Sequence, residues 1–146
     1  MGYNGGVEAL KRMDREKRIP VEEMPELIQM WRKANPSIVQ LWKDVEKHAK
    51  HAIKDRKPSH LGCLTFDCHH DTFMIGLPSG RKLCYVKPGI GLNRWGNETI
   101  TYYGISQESK QWFPMETYGG KLVENIVQAI ARDALAYSLQ RLYQEG

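Results

Sequence analysis

The stretch CLTFDCHHD places two thiols and two imidazoles within eight residues, at Cys63, Cys68, His69 and His70, with the carboxylate of Asp71 next in line. Zinc takes such donors, but structural zinc sites pair cysteines about two to four residues apart around a turn and add a second pair further on. Cys63 and Cys68 are five apart, which in a continuous strand puts them on opposite faces, and no second pair follows. The stretch reads as structural thiols beside surface histidines, with no metal site.

His70-Asp71 invites a different chemistry, because a carboxylate at a hairpin can hold a catalytic cation. Two-metal catalysis needs at least two acidic groups around ions about 3.5–4 Å apart. Asp71 is followed by Thr72, and the other acids fall on helical surfaces or in loops, so Asp71 reads as a hairpin surface aspartate. Ser79 lies in a turn, PSG, and not in the strand-to-helix elbow of a serine nucleophile. The glycines of GYNGG and KPGIGLNRWG neither follow a strand nor open a helix with phosphate-binding spacing. No catalytic residue is assigned.

One polar set remains, near the C-terminus. In TYGGKLVENIVQAIARDALAYSLQRLYQEG, Lys121, Glu124 or Asn125, Gln128 and Arg132 recur at steps of three and four and share a helix face. A solvated face is one reading. Gln128 also carries an amide donor and acceptor suited to base edges in a minor groove. Composition leaves both open.

The elements that would position these residues form an α+β pattern of N-terminal helices, central antiparallel hairpins and a long C-terminal helix. The first sixty residues are helical. VEEMPELIQMWRKA follows Pro20, a good residue for a first turn, and carries Leu27, Ile28, Met30 and Trp31 at helical spacing, with Pro25 still near the first turn. A second helix meets it at Asn35-Pro36 and sets Ile38, Leu41, Trp42, Val45, Ala49, Ala52 and Ile53 on one stripe, with Lys43, Lys47, Lys50 and Lys54 pointing away.

From 61 to 116 the period changes. Leu64 and Phe66 alternate with Thr65 and Asp67, and two apolar runs flank Pro78-Ser79-Gly80 as a hairpin. ETITYYGI and QWFPM add two strands, and residues 87–98, with three glycines and a proline, are expected to be a loop. Over 117–146, Gly119-Gly120 break the preceding strand. Leu122, Val123, Ile126, Val127, Ile130, Ala131, Ala134, Leu135, Leu139 and Leu142 are then expected to form a broad buried stripe.

A chain of 146 residues fits one domain or a piece of a larger one. With 41% hydrophobic and 26% charged residues it can bury a core, and no long apolar run or secretory leader is present, so a cytoplasmic protein off the membrane is expected. Three cysteines are too few for a disulfide scaffold and agree with a reducing compartment. The net charge of +4 permits a phosphate-rich partner.

Several stretches together resemble the family A DNA polymerases, the DNA polymerase I group, in their bacteriophage form. GYNGGVEALKRM is similar to the end of the fingers helix that carries motif B and the segment after it. RIPVEEMPELIQMWRKANPSIVQLW, with its Ile-Pro start, is similar to the helices that follow. LPSGRKLCYVKPGI and TYGGKLVENIVQAIARDALAYSLQRL look like the segment leading into the family's Q helix. The resemblance covers nearly the whole chain.

It implies roles residue by residue. Tyr3 matches the motif B tyrosine, which lies by the insertion site and stacks at the templating position, and Asn4 stands where many members have glycine. Gln128, five residues before Asp133, matches the glutamine that touches the minor groove near the primer terminus. Arg132 and Lys121 join it as expected DNA contacts, although the family's arginine one turn earlier has no counterpart near Gly120 and Lys121.

The resemblance also implies that an arginine and a lysine earlier in motif B hold the incoming nucleotide. Aspartates of motif A, upstream, and motif C, downstream, would hold magnesium in the intact polymerase. None of these is in the chain, and His70-Asp71 precedes the Q-like helix whereas motif C follows it. The expectation is one partial polymerase domain over 1–146, with fingers and palm elements, inactive in isolation. Primer-template DNA, nucleoside triphosphates and the remaining polymerase segments would be its partners in the intact enzyme. The alternatives are a non-catalytic DNA-binding module, an inactive prophage gene remnant, or one piece of a split polymerase.

Overall fold

The computed structural model describes residues 2–93, 95–106 and 110–145. The fold is α+β. Three helices, α1 (Val7–Met13), α2 (Met24–Ala34) and α3 (Pro36–Asp55), precede a six-stranded antiparallel sheet, and α4 (Gly119–Glu145) closes the order. The strands are β1 (Ser59–Leu61), β2 (Leu64–His69), β3 (Thr72–Gly76), β4 (Lys82–Leu92), β5 (Glu98–Ile105) and β6 (Trp112–Thr117), each paired with the next.

Proline sets both junctions in the helical part. Pro36 opens α3, where its missing N–H is one of the donors a first turn leaves free anyway. Asn35 serves as the C-terminal cap of α2 and the N-terminal cap of α3, and its side-chain amide donates to the Trp31 carbonyl at 2.8 Å. The expected start of α2 is corrected. Residues 20–23 form a turn, with Glu23 N–H donating to the Pro20 carbonyl, and Pro25 takes the first-turn position. Only Met24 and Ile28 of α2 are buried, while Leu27 and Met30 are exposed.

Alternation on the strands produces one buried sheet face. Phe66 of β2 opposes Ile75 of β3, and Phe73 of β3 opposes Tyr85 of β4. This face packs on Trp42, Val45, Ala49, Ala52 and Ile53 of α3 and on Leu122, Val123 and Ile126 of α4. Each such large side chain removed from water contributes about 1.5–3 kcal/mol, so the layer is the main source of cohesion. The three N-terminal helices end at Asp55, and β1 already pairs with β2 from Ser59, opposite Phe66.

The loop expected over 87–98 is mostly strand, for β4 continues to Leu92. A bulge between Val86 and Gly89 absorbs Lys87, at φ 49°, and Pro88, so the proline falls where the ladder needs no N–H. Gly89 and Gly91 lie against Thr101, where an added Cβ would come within 3.0 and 3.1 Å of its side chain. They permit close approach of two strands, a use of glycine that reads in sequence as a loop.

The stripe on α4 is corrected as well. Leu122, Val123, Ile126 and Ala129 are buried and Ile130 is partly so, but Val127, Leu135, Leu139 and Leu142 are exposed. A helix of 27 residues is about 40 Å long at 1.5 Å per residue, and α3 and the sheet cover only its first half. No helix among the described residues is long and apolar enough to cross a membrane.

Candidate nucleic-acid interface

The strand-to-strand turn after β3 carries Ser79 and Arg81 to the middle of α4. Ser79 Oγ donates to one carboxylate oxygen of Asp133 at 2.6 Å, and Arg81 Nε donates to the other at 2.8 Å. Arg81 Nη2 adds a bond to the Ala129 carbonyl at 3.2 Å. The Ser79 bond, with the bond and charge of Arg81 and the charge of Arg132, holds the Asp133 carboxyl below its ordinary range. Ser79 thus donates to an ionised carboxylate that is already paired with Arg81, which fits a latch between hairpin and helix.

Between β4 and α4 runs an open groove of about 420 Å³, lined by Arg81, Leu83, Tyr85, Asn125, Gln128 and Arg132 among others. Asn125 Nδ2 donates to the Tyr85 hydroxyl at 3.0 Å, tying the helix to the strand at the groove's inner end. Burial pushes the Tyr85 phenol up, partly offset by that bond.

The polar line predicted on α4 is real and faces outward. Lys121 Nζ pairs with Glu124 at 2.9 Å, a bond that raises the lysine's pKa, and Gln128 Nε2 donates to the other Glu124 oxygen at 3.3 Å. The Gln128 carbonyl oxygen is left to accept. Arg132 makes no hydrogen bond or ion pair among the described residues.

Tyr3 is brought to the same helix by its backbone. Its carbonyl sits against Gly120, and the segment is held by Trp42 Nε1 donating to the Gly2 carbonyl at 2.8 Å and Arg32 Nη2 donating to Asn4 Oδ1 at 2.9 Å. Asn4 has φ 62°, the left-handed conformation that glycine adopts most readily, and asparagine is among the side chains that tolerate it. Tyr3 is exposed. Gly120 and Gln128 are about 12 Å apart along the axis at 1.5 Å per residue.

The thiol and imidazole cluster is dispersed. Cys63 is exposed in the β1–β2 turn, whereas Cys68 is buried and receives a bond from Arg56 at 3.0 Å. Burial is the largest influence on the Cys68 thiol and raises its pKa, which disfavours a metal-binding thiolate. His69 pairs with Asp67 at 2.7 Å, and His70 occupies the hairpin turn at φ 49°. No group of three or more His, Cys, Asp or Glu side chains able to hold a metal ion occurs among the described residues.

Arg81, Tyr85 and the Asp133 latch escape sequence reading because each depends on contacts 40 to 54 positions apart. No local pattern encodes a pairing over that distance.

Among known proteins, the class to which this chain is similar is the DNA polymerases. The DNA polymerase of Bacillus phage SP02 is 49% identical to it over 149 residues, which covers 100% of this chain and 23% of that polymerase. The chain therefore corresponds to under a quarter of its relative. No protein-family model and no solved structure matches it.

Proposed function

We propose that this chain forms fingers and palm elements of a bacteriophage-type family A DNA polymerase and contributes duplex contacts to template-directed nucleotide addition. The identity to the phage polymerase, maintained along the entire chain, carries the reading. In it Tyr3 borders the templating base, and Gln128, with Arg132 and Lys121, meets the end of the primer-template duplex. The single helix α4 connects them. Gly120 seats the Tyr3 segment, and the outward face two turns on presents Gln128.

Magnesium, which such a polymerase uses, finds no group of three or more His, Cys, Asp or Glu side chains to hold it among the described residues. Asp133 and Glu98 are committed to Arg81 and Lys54, and Asp71 stands exposed at a hairpin. We assign the metal-binding aspartates to other parts of the intact enzyme, with the exposed Leu135, Leu139 and Leu142 of α4 as a surface for those parts to cover.

The test is a primer-extension assay with the 146-residue chain, nucleoside triphosphates and magnesium, beside duplex binding at about 50 mM salt. Binding without extension is expected. Extension by homogeneous protein would overturn the assignment of the metal ligands elsewhere, and absence of binding would remove the proposed DNA contacts.

A further inference from the structure

We propose that the recess between α1 and the turn entering α2 is a docking pocket for an acidic peptide segment of a partner protein that carries one large apolar side chain. The recess has a volume of about 510 Å³ and is floored by Ile19, Pro20, Val21 and Met24. Lys11, Arg15 and Lys17 stand around that floor. None of its lining residues is among those assigned to DNA above, so the pocket stands or falls apart from the polymerase reading.

Local hydrogen bonds shape the recess. Asp14 N–H donates to the Leu10 carbonyl at 2.9 Å as α1 ends, and Lys17, at φ 52°, turns the chain back. The Asp14 carboxylate then accepts from the Arg18 N–H at 3.0 Å and the Ile19 N–H at 2.8 Å, one bond to each oxygen. Residues 19–21 are thereby set beside α1, and Met24, buried at the start of α2, closes the floor. Val21 is left 49% exposed, so an anchor that covers it removes apolar surface from water on both sides of the contact.

Charge selects the occupant. Asp14 is the one acid that lines the recess, and both its oxygens are taken by backbone N–H groups. Glu8 is paired with Lys11 at 3.0 Å and Glu16 with Arg18, while Glu22 and Glu23 lie outside the lining. Arg15 and Lys17 have no side-chain hydrogen bond or ion pair among the described residues. Two cations without counter-charges beside an open aliphatic floor suit carboxylates flanking an apolar side chain. A nucleic-acid strand fits less well, because sequence-tolerant strand binding stacks bases on aromatic rings, and none of the lining residues is aromatic.

The experiment is fluorescence anisotropy of the 146-residue chain with a labelled peptide of aspartates around a central phenylalanine. The same peptide with alanine at its centre and a labelled oligothymidylate run beside it. The phenylalanine peptide is expected to bind with a Kd of about 100 µM or tighter. The central alanine should weaken it about tenfold, as loss of one buried aromatic side chain implies, and added salt should weaken it further. Lys17→Asn is expected to weaken it about threefold and the charge reversal Arg15→Glu about tenfold, asparagine being chosen because it tolerates the φ of Lys17. Val21→Asp should abolish binding. Positions 15 and 17 are exposed, so their variants test the pocket even where Val21→Asp loosens the turn.

No binding of the phenylalanine peptide at about 1 mM, or binding that Arg15→Glu and Lys17→Asn leave unchanged, would overturn the pocket and leave the polymerase reading in place. Oligothymidylate that binds the parent as tightly and is lost in the same variants would overturn the peptide assignment in favour of a nucleic-acid strand. Affinity for primer-template duplex should be equal in the parent and the pocket variants. A matching loss there would make the recess part of the DNA contacts and overturn the assignment to a protein partner.

Discussion

Gly120, in the first turn of α4, faces the backbone carbonyl of Tyr3 with no space for a side chain between them. Alanine here gains about 1 kcal/mol of helix propensity over glycine, but the added methyl meets backbone atoms of Tyr3 and the Cβ of Asn4, which no rotamer change can move. Overpacking of this kind costs about 1–3 kcal/mol, so Gly120→Ala should show a net loss of stability in urea unfolding. Gly119→Ala should do the same through the Trp42 carbonyl. A stability gain in either would mean the N-terminal segment is not seated on α4.

Thr117 is buried at 1% exposure, and its hydroxyl oxygen has no hydrogen-bond partner among the described residues. Its carbonyl accepts from Thr99 Oγ1 at 3.1 Å, a bond that needs no hydroxyl at 117. A buried unpaired hydroxyl costs about 1–3 kcal/mol, and valine has nearly the same shape. Thr117→Val is therefore expected to raise the urea midpoint, by about 1 kcal/mol in stability. A loss instead would reveal a partner for the hydroxyl.

Gln128→Ala removes an exposed side chain whose one bond, to Glu124, is 3.3 Å long. Surface changes away from packing move stability by within about 0.5 kcal/mol. Thermal and urea unfolding should match the parent while affinity for primer-template falls. A large stability loss would make Gln128 a structural residue.

The latch at Asp133 should be acid-sensitive. Its carboxyl is lowered from an ordinary 3.8, so the folded state favours the charged form. The stability it contributes is fully present above the unfolded value and disappears as pH falls through the lower, folded one. Asp133→Asn should be less stable than the parent at neutral pH, and the difference should shrink below about pH 3.8. A difference that stays constant into acid would show that the carboxylate charge is not what holds the hairpin to α4.

Local pattern was enough for the α+β class, the Asn35-Pro36 junction, the strands from β2 onward apart from the second half of β4, and the outward polar line on α4. In each case the signal is a periodicity or a turn residue acting within a few positions, as with Leu64, Phe66 and Cys68 on the inner face of β2. The family resemblance came from the same kind of local string, and the phage relative agrees with its polymerase part.

Where partners lie far along the chain, only the tertiary structure decided. Gly89 and Gly91 look like loop residues until Thr101 is laid across them, and Leu135 and Leu139 look like core until the sheet proves too short to reach them. Arg81 acquires its place from Asp133, 52 positions away. Periodicity states which face of an element is apolar or charged, but whether that face is covered, and by which distant residue, depends on how the elements stack.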